Sequence, residues 1–222
     1  LEAISLDPDF PGSRNNLDSL FLETGREVEA EGIIQRTSML ENNNAEYLYD
    51  LASKLWQQRN LEEAESLLRR ALLQNPYYAE AFGKLGIIFQ ESSRFEEAEK
   101  AYKQAIKLEP DYANAHYNLG VLLQEEGRAT EAEASFVQAL SIEPDFTEAL
   151  INLGSILRIT GRREEARVLL QKALALKPGS LESLRNLGAL QMETGQVEEG
   201  MQLQRKADGS IGFDLDQGFR LS

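Results

Sequence analysis

The sequence contains no cysteine, which excludes disulfides, thiolate metal sites and cysteine nucleophiles. It has one histidine, His116, so a histidine-rich metal site or a Ser-His-Asp triad is hard to assemble. No apolar run approaches the roughly 18 residues that a membrane helix needs. Positive charge is also scarce: 23 Lys and Arg stand against 37 Asp and Glu, a net charge of −14. Nucleic acids and anionic membranes both call for basic surface, so neither is expected as a partner. A neutral or basic polypeptide suits this charge better. No phosphate-cradling glycine loop with its Lys-Ser/Thr is present, and no cofactor is expected. No secretory leader is visible, the chain starts at Leu1 rather than methionine, and the cytoplasm is taken as a default location rather than an inferred one. What remains is an ordinary folded composition, with 42% hydrophobic and 27% charged residues.

Proline is sparse but ordered. Of six prolines, Pro76, Pro110, Pro144 and Pro178 recur at intervals of 34 residues, and Pro8 lies two such intervals before Pro76. Asn42 fills the slot between them, and Pro11 alone falls off the register. Other columns keep the same phase. One runs Ala71, Ala105, Ala139, Ala173, and another Ala30, Ala64, Ala98, Ala132, Ala166, continued by Gly200. A leucine column, Leu17, Leu51, Leu85, Leu119, Leu153 and Leu187, is unbroken, and Ala52, Gly86, Gly120, Gly154 and Gly188 follow directly after it. Internal repetition of this length marks a solenoid.

Each column has a physical role. Small residues let neighbouring helices approach where larger ones would overpack. Phe82, Leu85 and Phe89 recur at helical spacing, as do Phe95, Ala98, Tyr102, Ala105 and Ile106. A short polar break separates the two halves of each unit, with glycine at Gly25, Gly127, Gly161 and Gly195, where a left-handed helix terminus costs least. Proline ends the second half because it cannot continue the hydrogen-bond ladder. Each unit therefore reads as helix, turn, helix, stop.

The segment from Ala113 to Pro144, ANAHYNLGVLLQEEGRATEAEASFVQALSIEP, resembles a tetratricopeptide repeat. Units start at Pro11, Ala45, Ala79, Ala113, Thr147 and Leu181. Four match the family pattern closely; the first departs at Arg14 and Asp18, and the last at Gln191, Gly200 and Gln204. The resemblance implies an all-α fold, a right-handed α-α superhelix of about six such repeats reaching residue 207. Leu1 to Phe10 aligns with Lys103 to Tyr112, so the chain opens inside a second helix, as expected of a fragment of a longer array. After Ala207 the character changes. Ile211, Phe213 and Leu215 alternate with polar or glycine residues, which predicts a short strand, as a capping arm or the opening of a further domain over 208–222.

In this family the first helix of each pair lines a concave groove, with places 2, 5, 6, 9, 12 and 13 of the unit turned inward. Place 6 holds Asn16, Asp50, Lys84, Asn118, Asn152 and Asn186. Asn118, Asn152 and Asn186 resemble the asparagine ladder in the superhelical arm of O-linked N-acetylglucosamine transferases. An amide both donates and accepts, so such a ladder pairs with the backbone of an extended peptide. Tyr49 and Trp56 share one helix side, and Tyr117, Ile151, Ile87 and Val121 extend an apolar track. Trp56 reads equally as an interface anchor and as a packing residue near Leu22. Lys84, Arg158 and Arg185 are the basic groove residues, suited to isolated carboxylates. The rims are acidic: Glu46, Glu80, Glu148 and Glu182 on one side, Glu23, Glu91, Glu125 and Glu193 on the other. One branch of the family clamps the carboxylate of chaperone tails, but no three consecutive repeats here supply its Lys and Asn set.

Conventional chemistry is weakly represented. His116 takes a packing place, aligned with Phe82, Leu150 and Leu184. The pairs Glu62-Glu63, Glu96-Glu97 and Glu164-Glu165 open second helices, where they complement the helix dipole. Asp214, Asp216 and Gly218 form only a fragment of a calcium loop. The expected function is a non-enzymatic interaction scaffold holding a peptide segment in the groove. The alternatives are the substrate-selecting arm of a larger enzyme, such as a glycosyltransferase, and self-association through the groove or the repeat ends.

Overall fold

A computed structural model describes residues 44–209 together with the strand pairs 213–214 and 218–219. Ten helices occupy residues 45–207. In chain order they are α1 (Ala45–Gln57), α2 (Leu61–Gln74), α3 (Ala79–Glu91), α4 (Phe95–Leu108), α5 (Ala113–Glu125), α6 (Ala129–Ile142), α7 (Thr147–Ile159), α8 (Arg163–Leu176), α9 (Leu181–Glu193) and α10 (Val197–Ala207). The odd-numbered helices begin at the residues where the 34-residue pattern starts a unit. The partial unit at Leu1 and the unit from Pro11 lie outside the described residues. The fold is all-α, built from helical-hairpin repeats. Contact density divides the chain into two compact units, Leu1–Lys84 and Leu85–Ser222, with the division falling within α3.

The hairpin turn is set by one residue in a left-handed conformation. Gly127, Gly161 and Gly195 have φ of 76°, 82° and 89°. The same place is held by Arg59 and Ser93, whose φ values are 64° and 58°. The next amide then reaches back five residues: Arg94 N–H donates to the Phe89 carbonyl, Arg128 to Leu123 and Arg162 to Leu157, each at 2.8 Å. This closure satisfies first-helix carbonyls that would otherwise be orphaned. The second helices α2, α4, α6 and α8 end alike, their last amide bonds accepted by Ala71, Ala105, Ala139 and Ala173. Proline follows directly after each cap, at Pro76, Pro110, Pro144 and Pro178, and ends the ladder.

The columns account for the core. Ala64, Ala98, Ala132 and Ala166 are wholly buried, as are Ala71, Ala105, Ala139 and Ala173. Leu85, Leu119, Leu153 and Leu187 are buried too, while Leu51 is half-buried. In the first unit, Leu48 and Ala52 of α1 pack with Ala64 and Leu68 of α2. In the second, α5 packs on α6, α7 on α8 and α9 on α10, and each second helix packs on the next first helix. The glycines after the leucines are where paired helices come closest. A Cβ on Gly154 would stand 2.8 Å from Cγ of Leu170, and one on Gly188 would stand 2.8 Å from the carbonyl oxygen of Gly200. Gly200 replaces the alanine of its column because a Cβ there would meet Gly188 and Met192.

Beyond the helices, Phe213–Asp214 pairs antiparallel with Gly218–Phe219. The single strand expected around Phe213 is thus one arm of a small hairpin. Ile211, Leu215 and Asp216 lie outside the described residues.

Candidate functional site

The candidate residues of the first helices gather into two sets, one in each compact unit. In the first unit, α1 presents Tyr49 and Trp56 on one side, and Lys84 of α3 reaches them. Its ammonium lies 4.4 Å from the Trp56 ring centroid and 5.9 Å from that of Tyr49. Tyr78 stacks at a tilt on Tyr49, with centroids 5.2 Å apart. Burial pushes the Tyr78 phenol up to about 12, reinforced by the carboxylate of Glu80. The Trp56 indole Nε1 is buried and has no hydrogen-bond partner among the described residues. Leu22, the alternative neighbour expected for Trp56, lies outside them, as do Asn16 and Glu23.

In the second unit, α3, α5, α7 and α9 carry the remaining candidates. Asn118 is half-buried, and its amide has no side-chain hydrogen bond among the described residues. Asn152 Nδ2 lies 3.4 Å from the Tyr117 hydroxyl of the preceding hairpin. Asn186 Nδ2 donates instead to the Glu182 carbonyl of its own helix at 3.1 Å. The three asparagines therefore differ: Asn118 is open, Asn152 is linked to a neighbour and Asn186 has turned inward on its own turn. Tyr117 packs against Phe146 at 4.8 Å between centroids and Phe136 at 5.8 Å, and burial raises its phenol above the ordinary range.

One expectation is corrected. Ile151, placed on the exposed apolar track, is only 4% exposed and packs with Leu150 and Ala173 in the core. Its β-branched bulk faces Leu140 and Leu169 as well rather than solvent. The basic residues each have a neighbour in place. Lys84 faces rings, Arg158 of α7 pairs with Glu193 of α9, and Arg185 meets Asp208 at 3.1 Å.

Around Asn118 lies a depression of about 410 Å³, lined among others by Tyr102, Tyr117, Ile87, Val121, Glu91 and Glu125. A side-chain chain runs along it. The Tyr102 hydroxyl donates to Gln90 Oε1 at 3.0 Å, and Gln90 Nε2 donates to Glu125 Oε2 of the next hairpin at 2.7 Å. Burial holds the Tyr102 phenol well above its usual range, with the charges of Glu125 and Glu91 adding to it. Reasoning along single columns missed this network because it joins places 12 and 24 of one unit to place 13 of the next. The signal was a spacing of 35 residues, from place 12 of one unit to place 13 of the next, which Arg158 and Glu193 share.

The opposite face is tied by ion pairs. Arg128 bonds Glu99 of the preceding hairpin at 2.8 Å and Glu131 at 2.7 Å. Arg162 repeats the arrangement with Glu133 and Glu165. Glu97, Glu131 and Glu165, in the first turns of second helices, thus each pair with an arginine three residues earlier, besides complementing the helix dipole. His116 is half-buried, with Nε2 2.9 Å from the Pro110 carbonyl oxygen. Among the described residues no helix is long and apolar enough to cross a membrane.

Family models described as TPR repeat or tetratricopeptide repeat match residues 49–89, 88–127, 111–178 and 157–207. No curated protein matches the chain. Among solved structures, MamA from Desulfovibrio magneticus RS-1 is 18% identical with a TM-score of 0.65, covering 75% of this chain and 94% of its own. YrrB, described as a TPR protein with an unusual peptide-binding site, is 22% identical with a TM-score of 0.63, covering 78% and 91%. Pseudomonas aeruginosa pilF is 22% identical with a TM-score of 0.69, covering 77% and 78%. At these identities the likeness is one of fold.

Proposed function

The chain belongs to the tetratricopeptide-repeat family, and we propose that it is a non-enzymatic scaffold holding an extended or helical polypeptide segment against the inner faces of its first helices. The observation that carries this reading is the depression around Asn118. It combines apolar walls with an unpartnered amide, in a face whose neighbouring columns are fully packed. An apolar surface supplies affinity, and a small number of placed polar groups supply orientation. The peptide-binding site stated for YrrB, a protein of the same fold, supports the same use. Charge supports a neutral or basic guest, since Glu91, Glu125, Glu148 and Glu182 are all exposed and the chain carries −14. The same charge speaks against nucleic acid and anionic membrane as partners.

The test is a triple substitution of Asn118, Asn152 and Asn186 to alanine, with peptide binding measured on the whole chain. Loss of two backbone hydrogen bonds predicts a fall of about tenfold or more in affinity, with helical circular dichroism unchanged. Because Asn186 bonds its own helix, most of the loss is expected from Asn118 and Asn152. Unaltered affinity in the triple variant would remove the asparagine ladder from the account.

A further inference from the structure

The depression between α3 and α5 has a more specific chemistry than a general peptide groove. Tyr102 lies at its base, 1% exposed, and Tyr117, Ile87 and Val121 give it aromatic and aliphatic walls. No Lys or Arg lines it, while Glu91 and Glu125 do. Among the described residues Glu125 has one side-chain partner, the neutral amide of Gln90, so its charge is not cancelled. The equivalent Glu193, at the same place two units later, is neutralised by Arg158. The rim is therefore acidic in effect at the α3–α5 end and paired at the α7–α9 end. A second depression, of about 350 Å³, lies near Val137, Val168 and Leu157, where Arg162 is already matched to Glu133 and Glu165. It offers no uncancelled charge to a guest.

We infer that the α3–α5 depression is a socket for one arginine or lysine side chain of the bound polypeptide. The cation is received by Glu125, and the methylene stem lies against Tyr117, Ile87 and Val121. Long basic side chains bury an apolar stem while keeping the charged head at a polar edge, and aromatic faces attract a cation lying over them. The Asn118 amide, unpartnered beside the socket, is placed to meet the guest backbone next to that residue. This rests on the groove reading above and adds to it a fixed register for one basic residue.

The experiment selects short peptides, randomised at every position, on the whole chain, and titrates the best binders against wild type, Glu125→Gln and Glu193→Gln. Gln at 125 keeps a partner for Gln90, and the unfolding midpoint checks that the fold is intact. The expected result is a basic residue at one common position. Changing it to leucine weakens wild-type binding about tenfold or more, as for a hydrogen bond to a charged group. Glu125→Gln abolishes that difference, whereas Glu193→Gln preserves it. Binders without a common basic residue, or an arginine-to-leucine difference that survives Glu125→Gln, overturn the socket and leave the groove standing. Failure to select any binder, or binders that leave the amide signals of Tyr117, Asn118 and Val121 unmoved, overturns the groove and the socket together.

Discussion

A Cβ added to Gly120 would stand 2.7 Å from Cε1 of Phe136, a ring with no exposed surface. The ring is held on all sides and cannot swing away as the tip of a flexible chain would. Gly120→Ala gains about 1 kcal/mol of helix propensity but overpacks the contact by about 1–3 kcal/mol. A net loss of stability is expected, read as a lower midpoint in thermal or urea unfolding. The double variant Gly120→Ala/Phe136→Leu should recover most of it, because Ala52 and Leu68 occupy the same two places and are both buried. A Gly120→Ala protein as stable as wild type would show that the helices are less closely packed than described.

Ser93 holds a left-handed turn at φ 58°, where Gly127 and Gly161 take the same place in later hairpins. A non-glycine residue pays about 1–2 kcal/mol for this conformation, partly offset by the greater chain entropy that glycine loses on folding. Ser93→Gly is expected to stabilise by roughly 0.5–1 kcal/mol. Gly161→Ala is expected to destabilise by a similar amount, since nothing lies within 4 Å to reward the added methyl. Urea titration of both variants checks the pair. Opposite signs from those given would mean that the turn is not strained at Ser93.

The Arg128 guanidinium, followed by Lys103, holds the Glu99 carboxyl down to about 2 from its ordinary 4.5. A depressed carboxylate contributes stability that is fully present above its unfolded pKa and is lost as pH falls through the folded one. The difference in unfolding midpoint between wild type and Glu99→Gln should therefore be constant above about pH 5 and shrink towards pH 2. High salt should shrink it as well, since the pair is only partly buried. A difference independent of pH would contradict the pairing.

Trp56 is the single tryptophan, so its emission reports on the unit ending at Lys84. Lys84→Met keeps the stem but removes the cation 4.4 Å from the ring. The fluorescence-detected midpoint should fall by an amount corresponding to about 0.5–1 kcal/mol, with Lys84→Arg closer to wild type. A Lys84→Met protein equal to wild type would assign the lysine no role on the ring.

The periodic part of this molecule is legible in sequence because every hairpin solves the same packing problem at the same place. The leucine and alanine columns name the core, and the prolines mark where second helices stop. What is not legible is how each repeat spends its polar groups. Arg59 and Ser93 keep the turn's conformation without the glycine that announces it elsewhere. Asn186 and Asn118 occupy one column, yet one amide bonds its own helix and the other is open. Ile151 reads as a groove residue by place and packs as core by contact. The Gln90–Glu125 and Arg128–Glu99 links join different columns across hairpins, so a search along columns passes over them.

The most direct measurement is the map of backbone amide signals perturbed when a selected peptide binds the whole chain. The largest changes are predicted on the inner side of α3, α5 and α7, around Ile87, Tyr117, Asn118, Val121 and Asn152. Changes centred on Val137 and Val168 of the second helices, with those inner residues unmoved, would contradict the account.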